Sequence, residues 1–251
     1  LQIEWQARQG TRSDIKLVID LVNAQNGKRY PMAIEQPMRG GNPTFLWQPG
    51  EVIFDDYSLR LPADLAQGIY LLEIRLLDVT NDVWLEFEDA QGQPLRHAVA
   101  GPLQAGAPQP AQVQDMNSIQ ATFGNSLDLL GFELARASCD KGESLPLTLY
   151  WQASQPVRED YTVFVHVLDA QGNLVAQQDS PPLNGDLPTS LWVPGIVVQD
   201  NYQVTPPTVC LQDEYTVQIG LYKAGSGERL LLQASDRQIK DRALLLVRTR
   251  W

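Results

Sequence analysis

Apolar and polar residues alternate in the same way at two places far apart in the chain. Leu1, Ile3 and Trp5 alternate with Gln2, Glu4 and Gln6, and Leu147, Leu149 and Trp151 alternate with Thr148, Tyr150 and Gln152. A period of two predicts a strand with one buried face. The pattern recurs in pairs: Ile15, Leu17, Ile19 and Leu21 beside Tyr161, Val163, Val165 and Val167, then Tyr70, Leu72, Ile74 and Leu76 beside Tyr215, Val217, Ile219 and Leu221. Turns rich in Asn, Asp and Gly follow the second pair of strands, at residues 23–27 and 169–173, and a third, Asp89-Ala90-Gln91-Gly92, ends the first half. Such residues supply the positive φ of a hairpin. Returning strands are expected at 28–34 and 174–179, further strands at 52–59 and 197–204, and closing hairpins at 84–88 with 95–100 and 230–233 with 243–248. No segment sustains a 3.6-residue period over three turns.

The best-matched block reads GGNPTFLWQPGEVIFDDY at residues 40–57 and GDLPTSLWVPGIVVQDNY at 185–202. The two align without a gap and share Gly, Pro, Thr, Leu, Trp, Pro, Gly, Val, Asp and Tyr. This reads as an internal duplication. The fold class is therefore all-β, two tandem antiparallel β-sandwiches of immunoglobulin-like or jelly-roll type. The first repeat spans 1–103 and the second 118–251, with a linker rich in Pro, Gln, Ala and Gly at 104–117. Apolar stretches at 118–123 and 127–135 have no counterpart in the first repeat. That repeat is expected to lack its opening strands and to have its exposed edge covered by the linker, the neighbouring domain or another chain.

Composition narrows the classes. The chain has 251 residues, 43% hydrophobic and 20% charged, enough for a core in each half. A net charge of -11 argues against nucleic acid and against adsorption to anionic membranes. No apolar run approaches the length of a membrane-spanning helix, so no membrane insertion is expected of this chain. The absence of a starting Met reads as a fragment of a longer protein.

The string LPLTLYWQA, then DYTVFVHVLDAQGNLVAQQDSPP, PTSLWVPGIVVQDNY and GLYKAGSGERL resembles extracytoplasmic repeats attached to bacterial multi-pass membrane proteins. Those proteins in turn resemble dolichyl-phosphate-mannose–protein mannosyltransferases of the glycosyltransferase family 39 type. The resemblance covers residues 118–248 well and 1–103 less well. Its crossover pattern Leu-Pro-x-x-Leu-x-x-Gly-x-Tyr stands at residues 61–70; the second copy departs from it with Cys210 and Asp213. The resemblance implies a location at the cell surface or periplasm, tethered through a preceding part, and contact between the two repeats. It implies no reaction.

Candidate chemistry is sparse. Trp47 and Trp192 are either stacking platforms for a sugar ring or plugs at the end of a sandwich. Asp55 and Asp200 are either Ca²⁺ ligands or caps for loop amides and the neighbouring Tyr; one matched carboxylate per copy is few for a hard cation, so no metal is expected. His97 and His166 belong to no triad, and no cofactor motif or catalytic residue is found. The Leu-x-x-Gly-x-Tyr at residues 65–70 looks like a tyrosine corner. In an immunoglobulin-like order Cys139 and Cys210 fall at one pole of the second sandwich. They are either a disulfide, which would close a loop of roughly 70 residues worth about 4 kcal/mol, or two separate buried thiols. The leading function is a non-catalytic extracytoplasmic module that binds a glycan or a cell-surface protein. The alternatives are a structural spacer or protein–protein interaction domain, and a glycoside hydrolase.

Overall fold

The computed structural model describes residues 1–106, 116–205, 214–235 and 237–249, without the side chain of Asp140. The protein is all-β with antiparallel sheets and short 3₁₀ turns. It divides into two compact units, Leu1–Asn23 with Lys28–Gln109, and Pro110–Trp251 with Ala24–Gly27.

Unit 1 has two facing layers. One pairs β1 (Gln2–Gln6) with β4 (Val52–Asp56). The other is built on β2 (Ile15–Asn23), with β3 (Arg29–Glu35) on one side and β5 (Gly68–Asp78) on the other. Beyond β5 lie β6 (Val83–Leu85) and β9 (Ala98–Ala105), and β7 (Phe87–Glu88) pairs with β8 (Pro94–Leu95). The alternation that predicts the strands also builds the core. Leu17, Ile19 and Leu21 meet Leu72, Ile74, Tyr57 and Tyr70, and Leu1, Ile3 and Trp5 pack against them from the other layer.

In unit 2 the first sheet runs β15 (Val197–Val204), β12 (Leu145–Ala153), β11 (Leu127–Leu134), β10 (Asn117–Phe123), β18 (Leu232–Ala234). The second runs β14 (Leu174–Ser180), β13 (Tyr161–Leu168), β16 (Tyr215–Lys223), β20 (Ala243–Thr249), β19 (Ile239–Lys240), with β17 (Glu228–Arg229) on β16. The two units thus share an order of elements: β1 to β5 of unit 1 correspond to β12 to β16 of unit 2. What unit 1 lacks among the described residues is any partner on the outer edge of β1, where β11 and then β10 lie in unit 2. The edge was expected to be covered by the linker, the neighbouring domain or another chain; no described strand pairs with it, and linker residues 107–115 lie outside the described residues.

Several expected boundaries are corrected. The strand at 52–59 stops at Asp56, where pairing with β1 ends. The linker expected at 104–117 begins inside β9, which runs to Ala105, and ends inside β10; residues 107–115 lie outside the described residues. The closing hairpins are not simple pairs. β6 pairs back on β5, and β18 leaves β20 to join β10 in the other sheet. A strand that crosses between layers satisfies its backbone against a partner distant in sequence, which no local pattern reports.

Candidate functional site

The matched block forms the same latch in both units. A 3₁₀ turn, Pro37–Gly40 in one and Pro182–Gly185 in the other, carries two consecutive non-glycine residues in the left-handed region. These are Met38 (φ 51) and Arg39 (φ 53), and Leu183 (φ 51) and Asn184 (φ 56). Such residues cost of order 1–2 kcal/mol each, so something must hold them. Asp55 and Asp200 do so. The Met38 N–H donates to Asp55 Oδ2 at 2.8 Å and the Leu183 N–H to Asp200 Oδ1 at 2.9 Å. The same carboxylates accept from Tyr57 and Tyr202, two residues on, the second pair at 2.5 Å. Asp-x-Tyr is thus a clamp that ties the turn to its strand.

The rest of the block is equally committed. Thr44 Oγ1 accepts from the Ile15 N–H at 3.1 Å and donates to the Ser13 carbonyl at 3.0 Å. Thr189 repeats this with the Tyr161 N–H at 3.0 Å and the Glu159 carbonyl at 2.6 Å. Gly50 (φ 87) and Gly195 (φ 83) sit where a side chain would be strained, and their N–H groups donate to Ala7 and Ala153 at 2.7 and 2.9 Å. The indole N–H of Trp47 donates to the Asn42 carbonyl at 2.9 Å, and that of Trp192 to Leu187 at 3.0 Å.

The two units part company at solvent. Trp192 is 3% exposed and its ring lies 6.4 Å from that of Trp151, which packs edge-on against Phe123 at 5.4 Å. No sugar ring reaches a buried indole, so the platform reading fails at Trp192. Trp47 is half-buried. Beside it Leu46 is 57% exposed, whereas its counterpart Leu191 is 1% exposed. Leu1, Ile3 and Trp5 are half-buried, while Leu147, Leu149 and Trp151 are fully buried.

Burial also shapes the electrostatics of the clamp. It pushes Asp200 up to about 6, against the opposing pull of its bonds from Tyr202 and Leu183. Tyr202 is held well above its ordinary value by burial and by the facing Asp200 carboxylate, and Tyr57 is raised for the same reasons.

A second cluster, on the outer face of the β2–β5 sheet of unit 1, escaped the sequence reading. Asp20 and Glu73 stand directly opposite one another on adjacent strands, both buried. Arg29 bridges to both, Arg75 reaches Asp20 at 2.6 Å, and His97 Nδ1 lies 3.3 Å from Glu73. The Arg75 guanidinium lies 4.3 Å from the ring centroid of Trp84, which is 50% exposed. Facing carboxylates raise the question of glycosidase chemistry, which needs a pair flanking a substrate cleft. These two are neutralised by shared arginines on a sheet face. The cluster reads as an ion network that covers the sheet, with the buried Arg75 Nε 3.5 Å from Glu73 and without a hydrogen bond. The corresponding residues of unit 2 are His166 and Gln218. His166 lies 4.6 Å from the Phe164 ring, and burial lowers its basicity.

Among the described residues no group of three or more His, Cys, Asp or Glu side chains could hold a metal, and no helix is long and apolar enough to cross a membrane. The phenol of Tyr70 donates to the Ala66 carbonyl at 2.9 Å, which forms the tyrosine corner in unit 1. Cys139 is buried and disulfide-bonded; Cys210 lies outside the described residues, as does most of the crossover before Tyr215.

No family model matches the chain, and no curated protein matches it. Among solved structures it is similar to Ruminococcus gnavus beta-glucuronidase in complex with uronic isofagomine, at 11% identity and a TM-score of 0.21, over 95% of this chain and 34% of that one. The chain spans about a third of that enzyme's length, and a likeness at this level carries no argument about fold or activity.

Proposed function

We propose that this chain is a non-catalytic, extracytoplasmic interaction module of a larger membrane-associated protein, and that unit 1 presents its binding face to a protein partner. One observation carries the reading: positions buried in unit 2 are open in unit 1, above all Leu46 against Leu191. Apolar exposure at Phe45 and Leu46, next to the half-buried Trp47, is what a protein interface uses. The disulfide at Cys139 supports an oxidising compartment. The strongest side-chain chemistry in the matched block is spent on holding backbone, which leaves it nothing to offer a reaction.

A glycan array with the full chain tests the class of partner. The expected result is no saccharide-specific signal at concentrations that detect weak modules. A specific signal that disappears in Trp47→Ala or Trp84→Ala would overturn the reading in favour of a sugar-binding face.

A further inference from the structure

One corner of unit 2 gathers cations in a chain whose net charge is -11. Lys223, Arg229 and Arg242 line a pocket of about 360 Å³ together with Glu228, Tyr161 and Leu231. The shared fold does not require cations there. β17 pairs with β16 in the register that β6 keeps with β5, and Lys223 and Arg229 take the places of Asp78 and Trp84 in unit 1. The two guanidinium groups lock each other in position. Arg229 Nη1 donates to the Asp241 carbonyl at 3.0 Å, and Arg242 Nη1 donates to the Arg229 carbonyl at 2.7 Å. The Phe164 ring supports Arg229, its centroid 4.4 Å from the guanidinium carbon. Arg242 is the second residue of the two-residue turn between β19 and β20, a place that favours glycine, and it stands there at φ 57. A residue held in a disfavoured conformation, with its side chain in a pocket, is a reason to look for a ligand.

We propose that this pocket of unit 2 binds a carboxylate carried on an apolar group. Charge selects the anion. Glu159 lies 2.7 Å from Lys223 and Glu228 lies 3.6 Å from Arg242, so both of these cations are balanced and the charge of Arg229 is left over. A carboxylate matches that single charge, whereas a phosphate dianion exceeds it. Arg229 is half-buried, and its bond to Asp241 leaves Nε and Nη2, the side-on fork that takes two carboxylate oxygens at once. The apolar wall selects the stem. Leu231 is 65% exposed, and Leu230 and Tyr161 beside it in the pocket are half-buried, so an aliphatic side chain next to the anion leaves water against them. The end of a polypeptide with an apolar last residue and a free aliphatic carboxylate present the same chemistry. The site lies within unit 2 and does not rest on the protein-binding face assigned to unit 1.

The test is a titration of the isotope-labelled full chain with N-acetyl-leucine at low salt, followed by amide chemical shifts. The expected result is saturable shifts at the residues lining the pocket, with binding that weakens as salt is added. N-acetyl-leucinamide, which keeps the side chain and lacks the carboxylate, should bind about tenfold more weakly or worse. Glycine suits the backbone at position 242, so Arg242→Gly should unfold at a midpoint no lower than that of the wild type, while binding falls about tenfold, the order expected for one charge-assisted hydrogen bond. Lys240→Gln on β19 removes the same charge outside the pocket and should leave binding unchanged. Two further ligands separate the sources. Tighter binding of acetyl-Ala-Ala-Leu than of isovalerate supports a polypeptide end, and the reverse order supports a free carboxylate. Absence of saturable shifts overturns the proposal. So does equal binding of the acid and its amide, and so does equal weakening by Arg242→Gly and Lys240→Gln, which would reduce the effect to overall charge.

Discussion

At the scale of single residues, the carboxylate of Asp200 is the most consequential group. Its folded value of about 6 stands above the unfolded 3.8, so the folded state binds more protons than the unfolded one between the two. Its contribution to stability is therefore full below the unfolded value and is lost as pH rises through the folded one, by about 3 kcal/mol for a gap of this size. Asp200→Asn lacks this titration. Its stability minus that of the wild type should rise by about 3 kcal/mol between about pH 4 and 7 in urea unfolding, and a flat difference would contradict the assignment. His166, lowered by burial, acts in the opposite sense in both proteins and cancels in the comparison. The two tryptophans make a second contrast. Trp192→Ala should cost about 3–5 kcal/mol, and Trp47→Ala clearly less, because part of its ring is already in water. Equal shifts in unfolding midpoint would contradict the difference in burial.

At the scale of elements, the strands were legible wherever one face is buried. Leu17, Ile19 and Leu21, or Val163, Val165 and Val167, announce themselves by period alone. What was not legible is which strands pair when the partner is distant. β18 crosses to β10, and β6 folds back on β5, because backbone satisfaction is decided by three-dimensional neighbours. The clamp was half legible. Asp-x-Tyr stands out in the matched block, but the turn it holds begins three residues before the block, and no residue preference at Met38 or Leu183 betrays its left-handed pair. The ion network was missed because Asp20, Arg29, Glu73, Arg75 and His97 come from three strands and the segment before β9, each looking like an ordinary outward-facing polar position. The available signal was Asp20 between Val18 and Val22, an acid flanked on its own strand face by two apolar residues. If that network covers the sheet, Glu73→Ala leaves Arg29 and Arg75 with Asp20 as their one shared carboxylate. It should cost about 3 kcal/mol by chemical unfolding, and a loss within experimental error would show the arginines to be solvated instead.

At the scale of the whole molecule, the two units share an order of strands, β1 to β5 beside β12 to β16. Unit 2 carries a five-stranded sheet over its core; among the described residues unit 1 carries the β1–β4 pair, with the same Leu/Ile-x-Trp face turned inward. The direct measurement is hydrogen exchange of the monomeric full chain, comparing residues 2–6 with residues 148–152. The account predicts that amides on the outer edge of β1 exchange at rates near those of unpaired backbone, while their counterparts in β12 are protected by pairing on both sides. Equal protection of the two segments in the monomer would contradict it.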